Sequence, residues 1–123
     1  MDRADVARWL GEYVQAWRSY DREAVVALFA DSASYRYRPH EEPLIGSQRI
    51  ADDWLSDRDA AGSWDAAYEP IAVDGDTAVA IGSTTYTNPD GSVRAIYDNC
   101  FVMRFDPNGR CREFTEWYLQ RPV

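Results

Sequence analysis

Glu116 stands inside an aromatic run, Phe114-Thr115-Glu116-Trp117-Tyr118, and a carboxylate among rings is the chain's most chemically suggestive feature. Lost solvation disfavours its charged form and lifts its pKa toward the range useful for proton transfer. Which rings surround it depends on β-register. Ala95–Phe105 and Arg110–Tyr118 are β-rich and joined by Asp106-Pro107-Asn108-Gly109, so the segment reads as a hairpin. Pro107 presets φ at the first corner and Gly109 can return the chain with φ > 0. If all four residues are loop, Phe105 faces Arg110, and Tyr97, Asn99, Phe101 and Met103 share a face with Phe114, Glu116 and Tyr118. The opposite face then carries Ile96, Asp98, Cys100, Val102 and Arg104 beside Cys111, Glu113, Thr115 and Trp117. A three-residue loop would move Glu116 to that second face, because a slip of one residue inverts every side chain. The first face is expected beneath helices and the second partly against another subunit. Glu116 is the candidate general acid or base; the competing reading pairs it with an arginine, as buried carboxylates are generally compensated. Asp98 is expected to pair with Arg104 or Arg112.

The elements that must position this hairpin precede it. Val6, Trp9, Leu10, Tyr13, Val14 and Trp17 follow the spacing of one broad helical face. Asp21 can cap a second helix whose stripe is Ala24, Val25, Leu28 and Phe29, ending near Asp31. Ala33, Tyr35 and Tyr37 alternate with Ser34, Arg36 and Arg38 as in a half-buried strand, and Pro39-His40-Glu41-Glu42-Pro43 follows as a loop. Ser47 is placed as N-cap of a third helix with Ile50, Trp54 and Leu55 inward, and Asp52, Asp53, Asp57 and Asp59 mostly solvated. Trp64–Val73 and Thr77–Thr87 read as strands joined by Asp74-Gly75-Asp76, and Asn88-Pro89-Asp90-Gly91 turns the chain into the hairpin. Helices first and strands last imply an α+β fold: a cone-shaped barrel of three N-terminal helices packed on a strongly curved, mainly antiparallel sheet that encloses a pocket.

Composition narrows the function classes. A chain of 123 residues fits one domain spanning 1–123, and 46% apolar with 14% aromatic residues exclude disorder. The net charge of −8 argues against nucleic acid and against an anionic membrane surface. No apolar run approaches membrane-spanning length and the first residues lack a signal-peptide pattern, so a cytoplasmic location is expected. Cys100 and Cys111 fall at least four residues apart along the hairpin ladder, roughly 13 Å and beyond disulfide reach, and read as buried, reduced thiols. With a single histidine and no Cys-x-x-Cys, no metal site or cofactor is expected.

The element order, Leu28-Phe29-Ala30-Asp31 closing the second helix, Gly46 with Ile50 opening the third, and Val102-Met103-Arg104-Phe105-Asp106 with Gly109-Arg110 in the hairpin resemble the nuclear transport factor 2-like superfamily. The ketosteroid isomerase and SnoaL-like polyketide cyclase groups are the branches it looks most like. The resemblance implies that Tyr13 corresponds to the tyrosine whose hydroxyl stabilises a dienolate. The isomerase's proton-moving aspartate falls at Tyr37 and its protonated aspartate at Phe101, so the standard ketosteroid isomerase mechanism is not expected. The pocket positions implied are Trp17, Tyr35, Tyr37, Trp54, Ser83, Asn99, Phe101, Phe114, Glu116 and Tyr118. Trp17, Tyr35 and Trp54 are alternatively core residues of a filled cavity. His40 with Glu41 and Glu42 could gate the mouth as a substrate contact or bind a metal, although a lone loop histidine more often lies in solvent.

Three functions remain open at this level. One is a cofactor-independent isomerase, cyclase, dehydratase or hydrolase acting on an aromatic or polycyclic carbonyl compound, with Glu116 and Tyr13 in acid–base roles and Asn99 as a further donor. The second is a non-catalytic binder of a small apolar or aromatic ligand. The third is an interaction module that uses the outer sheet face, where Ile96, Cys100, Val102 and Trp117 are expected to support a homodimer.

Overall fold

The computed structural model describes residues 1–122. Helix α1, Arg3–Ser19, opens with a capping box in which the Asp2 carboxylate accepts from the Asp5 N–H and the Asp5 side chain accepts from the Asp2 N–H. Val6, Trp9, Leu10, Tyr13 and Ala16 form its buried stripe. It ends at Tyr20, a left-handed residue at φ 51°. Asp21 caps α2, Arg22–Leu28, by accepting from the Glu23 N–H. The helix stops at Leu28, short of Asp31, because Phe29 already has extended geometry and begins β1, Phe29–Arg36. A two-residue strand β2, Leu44–Ile45, then pairs back on β1. Helix α3, Ser47–Ser56, is capped by Gly46 and not by the Ser47 side chain: the cap sits at φ 100°, open to glycine and strained for serine.

Four long strands complete the chain, β3 Trp64–Asp74, β4 Thr77–Thr87, β5 Val93–Phe105 and β6 Cys111–Gln120. They form an antiparallel meander, and β1 joins its last strand in parallel, giving the order β2-β1-β6-β5-β4-β3. The architecture is α+β, three helices and a six-stranded, mostly antiparallel, open curved sheet. α1 packs along β3, α3 packs on β1, and Phe29, Tyr35, Phe101, Phe105 and Phe114 fill the space between helices and sheet.

The β5–β6 hairpin reaches its register by two opposing slips. The Asp106 N–H donates to the Arg110 carbonyl at 2.8 Å, which closes a three-residue loop of Pro107, Asn108 and Gly109. Taken alone, that loop would turn Glu116 outward. A bulge restores the parity: Phe105 pairs with Cys111 while Arg104 pairs with Glu113, so Arg112 is the extra residue. Phe101 therefore faces Glu116 and Asn99 faces Tyr118, and the inner face carries the residues expected there. The bulge also turns Cys111 inward, where it is fully buried beside Phe29 and Phe105, contrary to its expected place on the outer face. Cys100 is only half-buried, and both thiols are free. Asp98 pairs with Arg121 at 2.8 Å, since Arg104 is taken by Glu113 and Arg112 by Asp76.

Gly82 is a point of close approach between strands. A Cβ there would lie 2.0 Å from the Ala67 carbonyl oxygen and 2.6 Å from Cδ1 of Tyr68. Its absence lets the Tyr68 ring lie across the sheet toward Thr84 and Phe101, at 4.6 Å from the latter.

Candidate functional site

A cavity of about 500 Å³ lies between the helices and the sheet's inner face. This falls in the range of about 300–1,000 Å³ usual for small-molecule sites. Its deep wall is built by α1 and β1: Tyr13 and Tyr35 share a hydrogen bond between their hydroxyls at 2.9 Å, and both rings stack on Phe114, at 5.6 and 4.5 Å. Burial pushes both phenols well above the ordinary range, with the negative charge of Glu116 adding to the effect. They stay neutral and can only act as hydroxyl donors or acceptors. Phe101 packs 5.7 Å from Tyr13 and, with Phe114, supports the wall from behind without lining the cavity.

The sheet side carries a line of polar groups. Asn99 Nδ2 donates to Glu116 Oε2 at 2.6 Å, Thr84 Oγ1 donates to Asn99 Oδ1 at 3.0 Å, and the Tyr68 hydroxyl meets Thr84 Oγ1 at 2.6 Å. These groups sit on β6, β5, β4 and β3 in turn, and the inner-face parity of those strands brings them into one row. Burial pushes the Glu116 carboxyl up to about 7, against the lowering effects of the Asn99 hydrogen bond and the Arg38 charge. Among the described residues Glu116 forms no salt bridge, so the arginine-paired reading does not describe its direct contacts.

The mouth is acidic and aromatic. Tyr37 donates to Asp53 Oδ2 at 2.6 Å, and Trp17 Nε1 donates to Asp59 Oδ2 at 3.0 Å. The Tyr20 hydroxyl accepts from the Asp59 N–H at 2.8 Å, which helps hold a residue in the left-handed region that a non-glycine occupies at a cost of about 1–2 kcal/mol. Arg38 lies over the Tyr118 ring at 5.2 Å and Arg94 over Tyr86 at 4.9 Å. Trp54 Nε1, in the cavity wall, is the one buried side-chain nitrogen or oxygen without a hydrogen-bond partner among the described residues.

Of the residues singled out in the sequence, the structure brings Tyr13, Trp17, Tyr35, Tyr37, Trp54, Asn99, Glu116 and Tyr118 together around the cavity. Ser83 is not among them: it pairs with Asp98 on the outer face, and its neighbour Thr84 holds the inward position. His40 is exposed in the loop after β1, away from the cavity lining. Asn99 gives one amide hydrogen to Glu116 and accepts from Thr84, so its second amide hydrogen is the one donor it has left for a ligand.

Sequence reasoning missed Tyr68, Thr84, Tyr86 and Arg94, and it took Asp53, Asp57 and Asp59 for solvated residues when they border the mouth. Strand parity contained the signal for Thr84, since it alternates in phase with buried Ala78 and Ala80. Nothing in the helical spacing of α3 signals that the chain beyond it turns back over Tyr20 and Trp17.

A search of curated proteins finds no significant match to the chain. A family model described as SnoaL-like domain matches residues 10–114. That match runs from the middle of α1 to Phe114 in the first half of β6; it takes in Tyr13, Asn99 and most of the parallel β1–β6 pairing, and Glu116 lies just beyond it. With helices and sheet arranged as in the nuclear transport factor 2-like superfamily, the chain belongs to the SnoaL-like family of that superfamily.

Proposed function

We propose that the cavity takes up an apolar aromatic or polycyclic carbonyl compound and that Glu116 moves a proton on it without a cofactor, as an isomerase, cyclase, dehydratase or hydrolase would. The observation that carries this reading is a carboxyl in an aromatic wall, without a salt bridge among the described residues and pushed up to about 7, the value at which one group both takes and gives a proton near neutrality. The hydrogen-bonded Tyr13 and Tyr35 hydroxyls support it: if Tyr35 donates to Tyr13, the Tyr13 hydrogen is free to polarise a carbonyl or stabilise an enolate oxygen. Aromatic walls suit a flat ligand, and the few inward polar groups would orient it. Tyr37 and Phe101 stand where an isomerase of the resembled type has carboxylates, which supports a reaction other than standard ketosteroid isomerisation.

The test uses 2-tetralone as ketone and 2-naphthol as a flat mimic of its enol. Wild-type protein should bind 2-naphthol by fluorescence titration and speed exchange of the 2-tetralone α-hydrogens for deuterium, read by proton NMR. Glu116→Gln should keep 2-naphthol binding and lose about 10²–10⁴-fold of the exchange rate. Wild-type binding without exchange would favour the alternative, a non-catalytic small-ligand binder; neither binding nor exchange would count against both. The exposed Trp117, Ile81 and Leu119 on the outer sheet face, with half-buried Val102 and Cys100 beside them, support a homodimer formed through that face.

A further inference from the structure

The row of polar groups behind Glu116 has a direction. A threonine hydroxyl has one hydrogen, and that of Thr84 is given to Asn99 Oδ1. The 2.6 Å contact between the Tyr68 and Thr84 hydroxyls must then be a donation from Tyr68. With its oxygen occupied by Thr84, Asn99 can present only its NH₂ to Glu116 Oε2. Each donor along Tyr68, Thr84 and Asn99 thus fixes the next, and Glu116 Oε2 is the terminal acceptor. Among the described residues Glu116 Oε1 has no hydrogen-bond partner, and it is not one of the buried atoms lacking one, which leaves it open to the cavity that Glu116 lines.

We infer that Tyr68 and Thr84 are positioning residues for Glu116: by fixing the Asn99 amide they hold Oε2 as an acceptor and reserve Oε1 as the atom that takes the proton from a bound ligand's carbon and returns it. The inference rests on the acid–base reading of the cavity and adds residues on β3 and β4 to it. The balance is simple: the proton leaves carbon for Oε1, the electron pair passes to the ligand's carbonyl oxygen, and the reverse transfer regenerates the carboxylate. The row also has an opposite state, in which the Asn99 amide is flipped, its NH₂ donates to Thr84, Thr84 donates to Tyr68, and a protonated Oε2 donates to Asn99. That state would place the transferable proton on the wrong oxygen. The other titratable groups that sense the Glu116 charge are Tyr13 from α1, Tyr35 and Tyr37 from β1 and the residue after it, Tyr68 from β3 and Tyr86 from β4, all raised and neutral, together with Arg38.

The test is carbon-detected NMR of the Glu116 carboxyl, which needs no substrate and so separates this inference from the proposed reaction. Thr84→Val frees the Asn99 amide and should raise the Glu116 titration midpoint by about one pH unit or more, since a hydrogen bond favouring the charged form is no longer held in place. Thr84→Ser should restore it, and Tyr68→Phe should give a smaller rise in the same direction. An unchanged or lowered midpoint in folded Thr84→Val overturns the inference. In wild-type protein above the midpoint, the Asn99 amide hydrogens should show nuclear Overhauser contacts to the Glu116 side chain; contacts to the Thr84 side chain alone mean the flipped row and overturn it too, even if Thr84→Val does not fold. If the midpoint shifts as described while no ketone exchanges, the positioning stands and the proposed reaction fails.

Discussion

Replacing Glu116 by glutamine removes one ionisation while keeping an oxygen for the Asn99 amide, so the substitution isolates the cost of a charge in the aromatic wall. The folded carboxyl titrates at about 7 against an ordinary 4.5, which means the folded state holds the proton more tightly than the unfolded chain does. A group raised in this way contributes its full stability below pH ~4.5 and loses it as pH rises through about 7. At about 1.4 kcal/mol per tenfold change in acid strength, the gap corresponds to about 3–4 kcal/mol at most, and the open side of the cavity lets water reduce it. Urea unfolding of both proteins should therefore show Glu116→Gln gaining on wild type by about 2–3 kcal/mol between pH 5 and pH 8. Carboxylates held low by their partners, such as Asp76 beside Arg112 and Asp98 beside Arg121, destabilise both proteins alike as pH falls and cancel in the difference. A difference that stays flat across this interval would refute the reasoning. So would a glutamine variant several kcal/mol less stable at pH 8, the outcome expected when a buried ion pair loses one member.

Gly82→Ala should destabilise the fold by about 1–3 kcal/mol or more in the same unfolding assay, because its methyl group would meet the Ala67 carbonyl oxygen and the Tyr68 ring; a change under about 0.5 kcal/mol would mean the strands can part there without cost. Light scattering at micromolar concentration should give twice the 14.1 kDa chain mass, and Trp117→Lys should shift it toward the monomer; a wild-type monomer removes the outer-face dimer. Thermal midpoints with and without reductant should coincide, since Cys100 pairs with Trp117 and Cys111 with Phe105, five positions apart along β5. A midpoint that falls on reduction, in protein free of intermolecular crosslinks, would contradict the observed ladder.

Long periodic segments made much of this fold legible in the sequence. The α1 stripe, the Asp21 cap and the alternation on β4 and β5 each state a local preference that the tertiary structure keeps. The inward face of the hairpin was readable for a reason the sequence does not display: a shorter loop and an Arg112 bulge cancel in parity, and among the residues of β6 before the bulge Cys111 alone changes sides. Helix α2 ended early because the apolar stripe through Leu28 and Phe29 suits a helix and a buried strand equally. Within the site, residues on regular strands could be placed by parity, whereas Ser83 was carried over by resemblance and stands one position from the inward-facing Thr84. The mouth was least legible. Asp57 and Asp59 follow the last turn of α3, and the contacts of Asp59 with Trp17 and Tyr20 depend on long-range packing with no local periodicity to announce it.

The central claim is that the Glu116 carboxyl can hold or release a proton near neutrality inside the aromatic cavity. Its most direct measurement is a carbon-detected NMR titration of glutamate-labelled wild-type protein, with the Glu116 resonance assigned by its loss in Glu116→Gln. The structure predicts a midpoint of about 7 for that resonance. A midpoint at or below the ordinary 4.5 would show the carboxylate to be solvated or paired, and the cavity would have lost its base.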